Sequence, residues 1–395
     1  MKVIGLMSGT SADGIDAAAA EIELEGAELT LSPLGSLSRD YPPGLRAEIE
    51  ATMPPAATSA YGICRLNTLL GQEFAEAAAE AVETLCGVHA DLVTSHGQTI
   101  YHWVEGGAVL GTLQLGEAAW ISSRTGLPIV SNLRARDVAA GGQGAPLVAL
   151  FDSLLLSGGD HPKAALNLGG IANLTVVRPG EDSLAYDTGP ANALIDAAVS
   201  HLTNGAERLD RDGERALRGE VVPELLGRLL DDPYFRREPP KSTGREHFNL
   251  DYLLTALDGL PEPCPDDLIA TVTALTAETV ARECRRYGVR EVVFAGGGAE
   301  NPALMRMIAE RAPQTHFMPV ERWGIPSEAK EAYAFAVLGF LSLHGLAGNV
   351  PSCTGASRPA VLGDLTPGIE PLPVPLAREA PERMRILSAR RAGRA

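Results

Sequence analysis

The sequence predicts an α/β protein built from two similar halves. The chain has 395 residues, which is more than one ordinary domain holds, and its 45% content of hydrophobic residues is enough for large cores. Each half opens with an apolar strand, a glycine-rich turn and a second apolar strand, at residues 3–24 and again at 164–177. Such a repeat indicates an internal duplication, and two α/β halves facing each other would place both turns on one polyphosphate.

The first turn consists mainly of small and polar residues. It contains Gly9, Thr10, Ser11, Ala12, Asp13, Gly14, Ile15 and Asp16. Its glycines permit positive φ or close approach to a ligand, and its hydroxyl groups and backbone amides can donate hydrogen bonds to phosphate oxygens. Asp13 and Asp16 offer the oxygen ligands that Mg²⁺ prefers, directly or through water. The Gly-Lys-Ser/Thr ending of a Walker loop is missing, and the turn alone is equally typical of an ordinary hairpin.

Two further glycine-rich turns follow buried strands. They are Gly169 and Gly170 after residues 164–168, and Gly296, Gly297 and Gly298 after residues 291–295. The backbone amides of such turns can hold phosphates, and a surface without side chains can accept a base or ribose. Three turns at corresponding places predict that the protein binds a nucleotide.

Few residues suggest catalysis directly. Asp187 is predicted at a strand end beside Thr188, where a carboxylate can act as a general base, although an Asx turn or a helix cap is the alternative. His96 is a candidate acid or base, but we favour its positioning a polar substrate together with Gln98. No serine lies in a nucleophile elbow and no His and Cys spacing suggests zinc, so neither a Ser-His-Asp hydrolase nor a zinc enzyme is indicated.

Composition restricts the partners. The formal net charge of −17 argues against a nucleic-acid or anionic-membrane surface. A local basic cluster (Arg236, Arg237, Lys241 and Arg245) could bind a carboxylate or phosphate, or could be a solvated loop balanced by Glu238 and Glu246. The cysteines (Cys64, Cys86, Cys264, Cys284 and Cys353) form no C-x-x-C pair, which predicts reduced, mostly buried thiols in a cytoplasmic protein. Residues 3–7 are too short for a signal peptide, and 332–347 predict a buried helix rather than a membrane span.

The predicted elements suggest three segments. Strands are expected at 29–38, 91–99, 128–133 and 315–320, and helices at 65–86, 145–157, 191–202, 302 onwards (capped by Asn301), from a cap at Asp266 to Tyr287, and 327–344. The segments are an N-terminal domain (1–158) with the first turn, a C-terminal domain (159–368) with Asp187 and the other two turns, and a disordered tail (369–395).

Seven motifs occur in order between residues 3 and 368. They are Gly-Leu-Met-Ser-Gly-Thr-Ser-x-Asp-Gly-Ile-Asp, Ser-His-Gly-Gln-Thr, Asn-Leu-Gly-Gly-Ile-Ala-Asn-Leu-Thr, Asp-Thr-Gly-Pro-x-Asn, Pro-Pro-Lys-Ser-Thr-Gly-Arg-Glu, Gly-Gly-Gly-x-x-Asn-Pro and Thr-Gly-Ala-x-Arg-Pro. Together they resemble the anhydro-N-acetylmuramic acid kinase family of the sugar kinase, Hsp70 and actin superfamily. The resemblance implies two duplicated actin-like (ribonuclease H-like) domains with an interdomain nucleotide cleft, and it suggests a homodimer.

The resemblance also implies a reaction and its residues. ATP, with Mg²⁺, and water would convert 1,6-anhydro-N-acetylmuramic acid to N-acetylmuramic acid 6-phosphate and ADP. Gly9 to Asp16 match one phosphate loop, Gly169, Gly170 and Asn173 a second, and Gly296 to Gly298 the nucleotide-side loop. Asp187 matches the catalytic base, Glu331 a further active-site carboxylate, and Asp13 is the predicted Mg²⁺ residue, through water. The predicted substrate-binding residues are His96, Gln98, Asp137, Thr188 and Asn192, and Ala191 departs from a common glycine.

The same residues are compatible with other functions. A conventional sugar kinase of the same fold would use Asp187 to deprotonate a sugar hydroxyl instead of water. A catalytically idle ATP-dependent sensor would also bind nucleotide, although an intact Asp187 and intact phosphate loops argue against it. A glycoside hydrolase independent of ATP leaves the glycine-rich turns unexplained.

Overall fold

The chain divides into two compact units. A computed structural model describes residues 1–9, 12–370 and 380–387. Unit 1 comprises Met1–Ser157 and the described residues from Trp323 onwards, and unit 2 comprises Gly158–Arg322. Each unit has its own β-sheet and buried apolar clusters, so the predicted α/β class is confirmed.

Unit 1 contains the helices and strands before residue 158 and the last ones of the chain. Its first elements are β1 (Lys2–Ser8), β2 (Gly14–Glu25), β3 (Glu28–Asp40), α1 (Pro43–Thr52), α2 (Ala60–Leu85), β4 (Leu92–Glu105), β5 (Ala108–Leu115), α3 (Ala118–Thr125), β6 (Ile129–Ser131), α4 (Leu133–Ala139) and α5 (Ala149–Leu156).

Unit 2 follows with a smaller sheet and a larger share of helix. Its elements are β7 (Lys163–Leu168), β8 (Ile171–Val177), β9 (Leu184–Pro190), α6 (Asn192–Leu202), α7 (Glu214–Arg218), α8 (Pro223–Leu230), α9 (Leu250–Leu257), α10 (Pro265–Arg286), β10 (Glu291–Ala295), α11 (Pro302–Arg311) and β11 (His316–Pro319). Short 3₁₀ turns lie at Arg211–Gly213, Pro233–Arg236 and Gly297–Glu300. The chain then adds α12 (Lys330–Leu343), α13 (Pro351–Thr354), β12 (Asp364–Thr366) and β13 (Arg383–Ile386) to unit 1.

The two sheets repeat one arrangement of five strands. Unit 1 has the order β3-β2-β1-β4-β6 and unit 2 the order β9-β8-β7-β10-β11. In each, the first strand pairs antiparallel with the second and parallel with the fourth, and the second and third form a hairpin. The predicted duplication of an actin-like α/β fold is therefore confirmed. Unit 1 extends the pattern with β12, β13 and β5, which pairs with β4.

Helix α12 explains why the chain returns to unit 1. Its backbone approaches β1 so closely that a Cβ on Gly5 would lie 1.9 Å from the carbonyl oxygen of Ala332. A Cβ on Gly339 of α12 would likewise lie 1.6 Å from Thr94 Oγ1 in β4. Only glycine fits at these contacts. The helix is buried, as predicted for residues 332–347, and it belongs to unit 1 although the predicted second domain extended to residue 368.

Several predicted boundaries differ from the structure. Helix α2 begins at Ala60, five residues before the predicted start. Pro190 ends β9, and α6 begins at Asn192, one residue after the predicted start. The N-cap of α10 is Cys264, and Asp266 lies in the first turn of that helix.

The predicted disordered tail is wrong for one segment. Arg383–Ile386 forms a strand parallel to β3, with Met384 opposite Leu29. Met384 is 6% exposed, so burial of its side chain gives this segment a fixed register. The rest of the tail prediction falls partly on residues 371–379 and 388–395, which lie outside the described residues.

The burial of the cysteines can be compared with the prediction of mostly buried thiols. The five cysteines form no disulfide within the described chain, and Cys86, Cys284 and Cys353 are buried whereas Cys64 and Cys264 are exposed. No helix in the part of the chain that the structure describes has the length and apolar character needed to cross a membrane.

Candidate active site

The first turn is held by side chains from neighbouring segments. Ser8 Oγ lies 2.7 Å from the carbonyl oxygen of Gly14 and 2.6 Å from Gln98 Oε1, and it accepts a hydrogen bond from the Tyr41 hydroxyl at 3.0 Å. Gln98 Nε2 donates to the carbonyl oxygen of Gly9 at 3.1 Å. Gln98 is fully buried. The structure therefore gives Gln98 the role of fixing the turn, where a substrate contact was predicted.

The predicted first phosphate loop is only partly accessible through side chains. Ala12 and Ile15 are each 1% exposed and belong to the core of unit 1, so only their backbone can face a ligand. Ala12 has a φ of +50°, which is rare for a residue other than glycine and is often found at functional turns. Thr10 and Ser11 lie outside the described residues.

Acidic side chains surround the exit of the first turn. Burial raises the pKa of Asp16, a hydrogen bond from Ser38 counteracts this effect, and the negative charges of Asp13 and Glu328 raise the pKa further. These carboxylates offer the ligand type that Mg²⁺ prefers. Among the described residues no group of three His, Cys, Asp or Glu side chains could hold a metal ion directly.

His96 is an acceptor for an arginine and is 3% exposed. Arg134 Nε donates to His96 Nε2 at 2.9 Å, and His96 Nδ1 lies 2.8 Å from the carbonyl oxygen of Gly97. Because a guanidinium can only donate, the ring must be neutral with its proton on Nδ1. Burial and the charge of Arg134 both lower the pKa of His96. His96 therefore orients Arg134, and catalysis as an acid is not supported.

Glu331 is the second residue of α12 and follows a lysine that forms a buried ion pair. Lys330 Nζ lies 2.7 Å from Asp152 Oδ1, and both side chains are about 95% buried. Burial raises the pKa of Glu331, and the positive charges of Arg134 and Lys330 counteract this effect. The pair of charged residues at the start of an otherwise apolar helix was a usable signal in the sequence. The contact of Arg134 with His96 joins residues 38 positions apart and had no such signal.

Asp137 is a structural carboxylate. It is completely buried, and its Oδ1 accepts hydrogen bonds from Asn349 Nδ2 at 2.7 Å and Thr354 Oγ1 at 2.8 Å. Its Oδ2 accepts from the backbone amide of Gly144 at 2.8 Å. With these protein donors around it, Asp137 joins two loops of unit 1, and the prediction of a substrate contact is not supported.

Asp187 has an environment suited to a general base. It is partly exposed, with Oδ1 accepting from Asn173 Nδ2 at 3.1 Å and Oδ2 from the backbone amide of Thr243 at 3.0 Å. Burial raises the pKa of Asp187, and these two hydrogen bonds counteract it. A raised pKa makes the carboxylate a better proton acceptor while the hydrogen bonds fix its orientation. Asn173 thus supports Asp187 instead of serving only the second phosphate loop.

A β-bulge interrupts the strand β9 next to Asp187. Asp187 pairs with Asn173 and Gly189 pairs with Ala172, so Thr188 is the extra residue in β9. Thr188 is 2% exposed and its Oγ1 donates to the carbonyl oxygen of Ala172 at 3.3 Å. Bulges of this kind are frequent next to active sites because they change the direction of a side chain. Thr188 therefore has a structural role, and the predicted strand end at Asp187 lies within a strand.

The second and third glycine-rich turns meet in unit 2. A Cβ on Gly296, whose φ is +93°, would lie 2.7 Å from the carbonyl oxygen of Leu168. A Cβ on Gly298 would lie 2.9 Å from Leu168 Cβ, whereas one on Gly297 would meet only Asn192 at 4.0 Å. The outer glycines therefore allow the third turn to pack on the end of β7, next to Gly169, and Gly297 is left open.

A cavity begins at this open glycine. It has a volume of about 330 Å³, and its lining includes Gly297, Asn192, Asp196 and Ile195. Asn192 was predicted to bind the substrate, and the structure places it on this cavity beside the nucleotide-side loop. A concave site with a few polar groups next to a glycine-rich turn can accept the nucleoside part of a nucleotide.

Fold and site together define a class of protein. Two sheets of one strand order, glycine-rich turns after their first strands and a positioned carboxylate on β9 define a kinase of the actin-like α/β class. A family model described as anhydro-N-acetylmuramic acid kinase matches residues 1–368. The chain belongs to the anhydro-N-acetylmuramic acid kinase family, as its motifs predict.

Relatives of this family cover almost the entire chain. Anhydro-N-acetylmuramic acid kinase of Streptomyces coelicolor is 58% identical over 98% of this chain and 99% of its own length. The protein so named from Rhodococcus erythropolis is 51% identical, with 98% and 99% covered. Among solved structures, a ROK family glucokinase from Streptomyces griseus in complex with glucose and AMPPNP is 13% identical with a TM-score of 0.36, covering 86% of this chain and 99% of that one.

Proposed function

We propose that this protein uses ATP and water to convert 1,6-anhydro-N-acetylmuramic acid to N-acetylmuramic acid 6-phosphate and ADP, in cytoplasmic recycling of cell-wall peptidoglycan. Membership of the family supports the substrate, and the environment of Asp187 is the observation that supports the chemistry. Its carboxylate is partly exposed, oriented by Asn173 and Thr243, and has a raised pKa. The homodimer suggested by the resemblance stays a prediction.

Asp187 begins the reaction by accepting a proton from water. The resulting hydroxide attacks C1 of the sugar, the bond between C1 and O6 breaks, and O6 leaves with the bonding electrons. O6 then attacks the γ-phosphorus of ATP, and ADP departs. The phosphoryl group takes the place of the proton that an inverting glycosidase supplies from a second carboxylic acid. Glu331, whose pKa is raised by burial, is not required as that acid.

The nucleotide is assigned to the second and third glycine-rich turns, which meet in unit 2. The cavity beside Gly297 would receive the nucleoside, and Gly169 and Gly170, which would hold the phosphates, directly follow Leu168, the residue on which the third turn packs. Phosphoryl transfer requires mainly alignment and neutralisation of charge, which Mg²⁺ supplies when bound. Asp13 and Asp16 are the residues that would hold the ion, through water, because they are adjacent acidic groups at the first turn.

The deciding experiment follows oxygen from water into the sugar. The enzyme is incubated with Mg·ATP and 1,6-anhydro-N-acetylmuramic acid in ¹⁸O-labelled water, and the product is analysed rapidly because an anomeric hydroxyl exchanges with solvent. Coupled ring opening predicts one ¹⁸O at C1, one ADP per sugar phosphate, and loss of both with Asp187→Asn. ADP release only with non-anhydro sugars would instead establish a conventional sugar kinase, and ATP binding without any turnover would establish a sensor.

A further inference from the structure

The four cations of the basic cluster have different surroundings. Arg236 Nη1 forms an ion pair with Asp231 at 2.7 Å. Lys241 Nζ lies 4.9 Å from the centre of the Tyr234 ring, and Arg237 lies 5.9 Å from the same ring. These three side chains are therefore engaged within unit 2, whereas Arg245 has a different position.

Arg245 lies over the second glycine-rich turn. Its Nε and Nη2 atoms are each 3.2 Å from the position that a Cβ on Gly170 would occupy. The side chain of Arg245 is exposed. A guanidinium has five donors in a rigid fork, which match the oxygens of a phosphate. Because Gly170 has no side chain, these donors can lie directly on the turn.

Asp196 attracts Arg245 from the cavity side. Burial raises the pKa of Asp196 to about 6, and the positive charge of Arg245 counteracts this effect. Asp196 also lines the cavity beside Gly297. The Arg245 guanidinium therefore lies on the glycine-rich turn and interacts electrostatically with a carboxylate that lines this cavity.

The loop that carries Arg245 also orients Asp187. The backbone amide of Thr243 donates to Asp187 Oδ2 at 3.0 Å, and the backbone amide of Asp187 donates to the carbonyl oxygen of Lys241 at 3.2 Å. Arg245 is two residues beyond Thr243. One short loop, residues 241–245, therefore joins the proposed base to the second turn.

We propose that Arg245 binds the terminal phosphates of ATP at the Gly169–Gly170 turn, with Asp196 as its positioning residue. The inference rests on the proposed function, because it takes ATP as the ligand of that turn. Its position on a glycine of the turn, and not its charge alone, distinguishes Arg245 from the other three cations. A local positive charge in a protein with a net charge of −17 also offsets repulsion of an anionic ligand.

The test is equilibrium binding of ATP, ADP and AMP by titration calorimetry in the presence of Mg²⁺. The wild type is compared with Arg245→Met, with Arg245→Lys and with Arg236→Met as the matched control. Loss of charge-assisted hydrogen bonds predicts about ten- to a hundredfold weaker ATP binding by Arg245→Met, and an effect that decreases from ATP to AMP. Arg245→Lys should lie between the two, and Arg236→Met should bind as the wild type does.

Two results would overturn the inference. If Arg245→Met binds ATP as tightly as the wild type but has a raised KM for the anhydro sugar, Arg245 binds the carboxylate of the sugar. If the wild type itself binds no ATP, the proposed function fails and this inference fails with it. Thermal melting of each variant identifies weaker binding that arises only from loss of fold.

Discussion

The turn between β1 and β2 and the turn between β7 and β8 occupy the same place in two copies of one fold, but different interactions hold them. Side chains fix the first turn, with Ser8 and Gln98 forming hydrogen bonds to the backbone at its two ends. Backbone groups fix the second, because the amides of Ala191 and Asn192 donate to the carbonyl oxygens of Gly170 and Gly169 at 2.9 and 3.1 Å. A duplicated topology therefore does not require duplicated contacts.

The charges beside the two turns also differ in sign. Carboxylates of Asp13, Asp16 and Glu328 are near one another at the first turn, whereas the guanidinium of Arg245 lies on the second. The first turn is thus suited to a cation and the second to an anion. This difference can be tested by substituting the charged residues of one turn at a time.

The largest effect is expected when the carboxylates of the two units are substituted and the kinetic constants of the variants are compared. Asp187→Asn should lower kcat by about 10²–10⁴-fold, because the general base is lost, and should leave the Kd of ATP nearly unchanged. Asp13→Asn should lower kcat/KM less, and excess Mg²⁺ should restore it. Steady-state kinetics across a Mg²⁺ titration distinguish the two variants. Recovery of Asp187→Asn by Mg²⁺ would contradict the assigned roles.

The stability of unit 1 depends on the buried ion pair between Lys330, which precedes Glu331, and Asp152. Lys330→Met should lower the free energy of unfolding by about 3–5 kcal/mol, because the Asp152 carboxylate is left buried without its partner. The double variant Lys330→Met with Asp152→Leu should recover most of this loss. Urea denaturation of the three proteins measures it. A double variant as unstable as the single one would mean that packing, and not the unpaired charge, causes the loss.

The side chains that hold the first turn should make a smaller contribution. Gln98→Leu removes a buried hydrogen-bonding partner of Ser8 and Gly9 and should cost about 1–3 kcal/mol of unfolding free energy. The exposed Gln143 provides the matched control, since Gln143→Leu should change the unfolding free energy by less than about 0.5 kcal/mol. Equal effects of the two substitutions in urea denaturation would show that Gln98 does not fix the turn.

The smallest effect concerns pH and the second turn. Burial raises the pKa of Asp196 from 3.8 to about 6, so its protonated form is favoured in the folded state. The contribution of protonated Asp196 to the free energy of unfolding is fully present below about pH 4 and is lost as the pH rises through 6. Relative to Asp196→Asn, the wild type should therefore lose about 1 kcal/mol of unfolding free energy between pH 4 and pH 7, after allowance for partial exposure. Parallel pH profiles of the two proteins would contradict this.

The sequence by itself determined the features that depend on neighbouring residues. Glycine-rich turns after apolar strands, their repetition in each half and the motif around Asp187 are local patterns, and they gave the α/β class, the duplication and the family. Asn301 as the cap of α11 was predicted correctly for the same reason, since its side chain accepts from the amide of Leu304 three residues away.

Only the tertiary structure decided which polar residues face a ligand and which hold the fold. Three residues have types typical of a substrate site, but their side chains form hydrogen bonds to distant segments inside the protein. They are Asp137, Gln98 and Thr188. The position of Arg245 on Gly170 was equally hidden, because 75 residues of chain separate the two. Such contacts depend on strand register, bulges and the return of the chain to unit 1, and no local pattern records them.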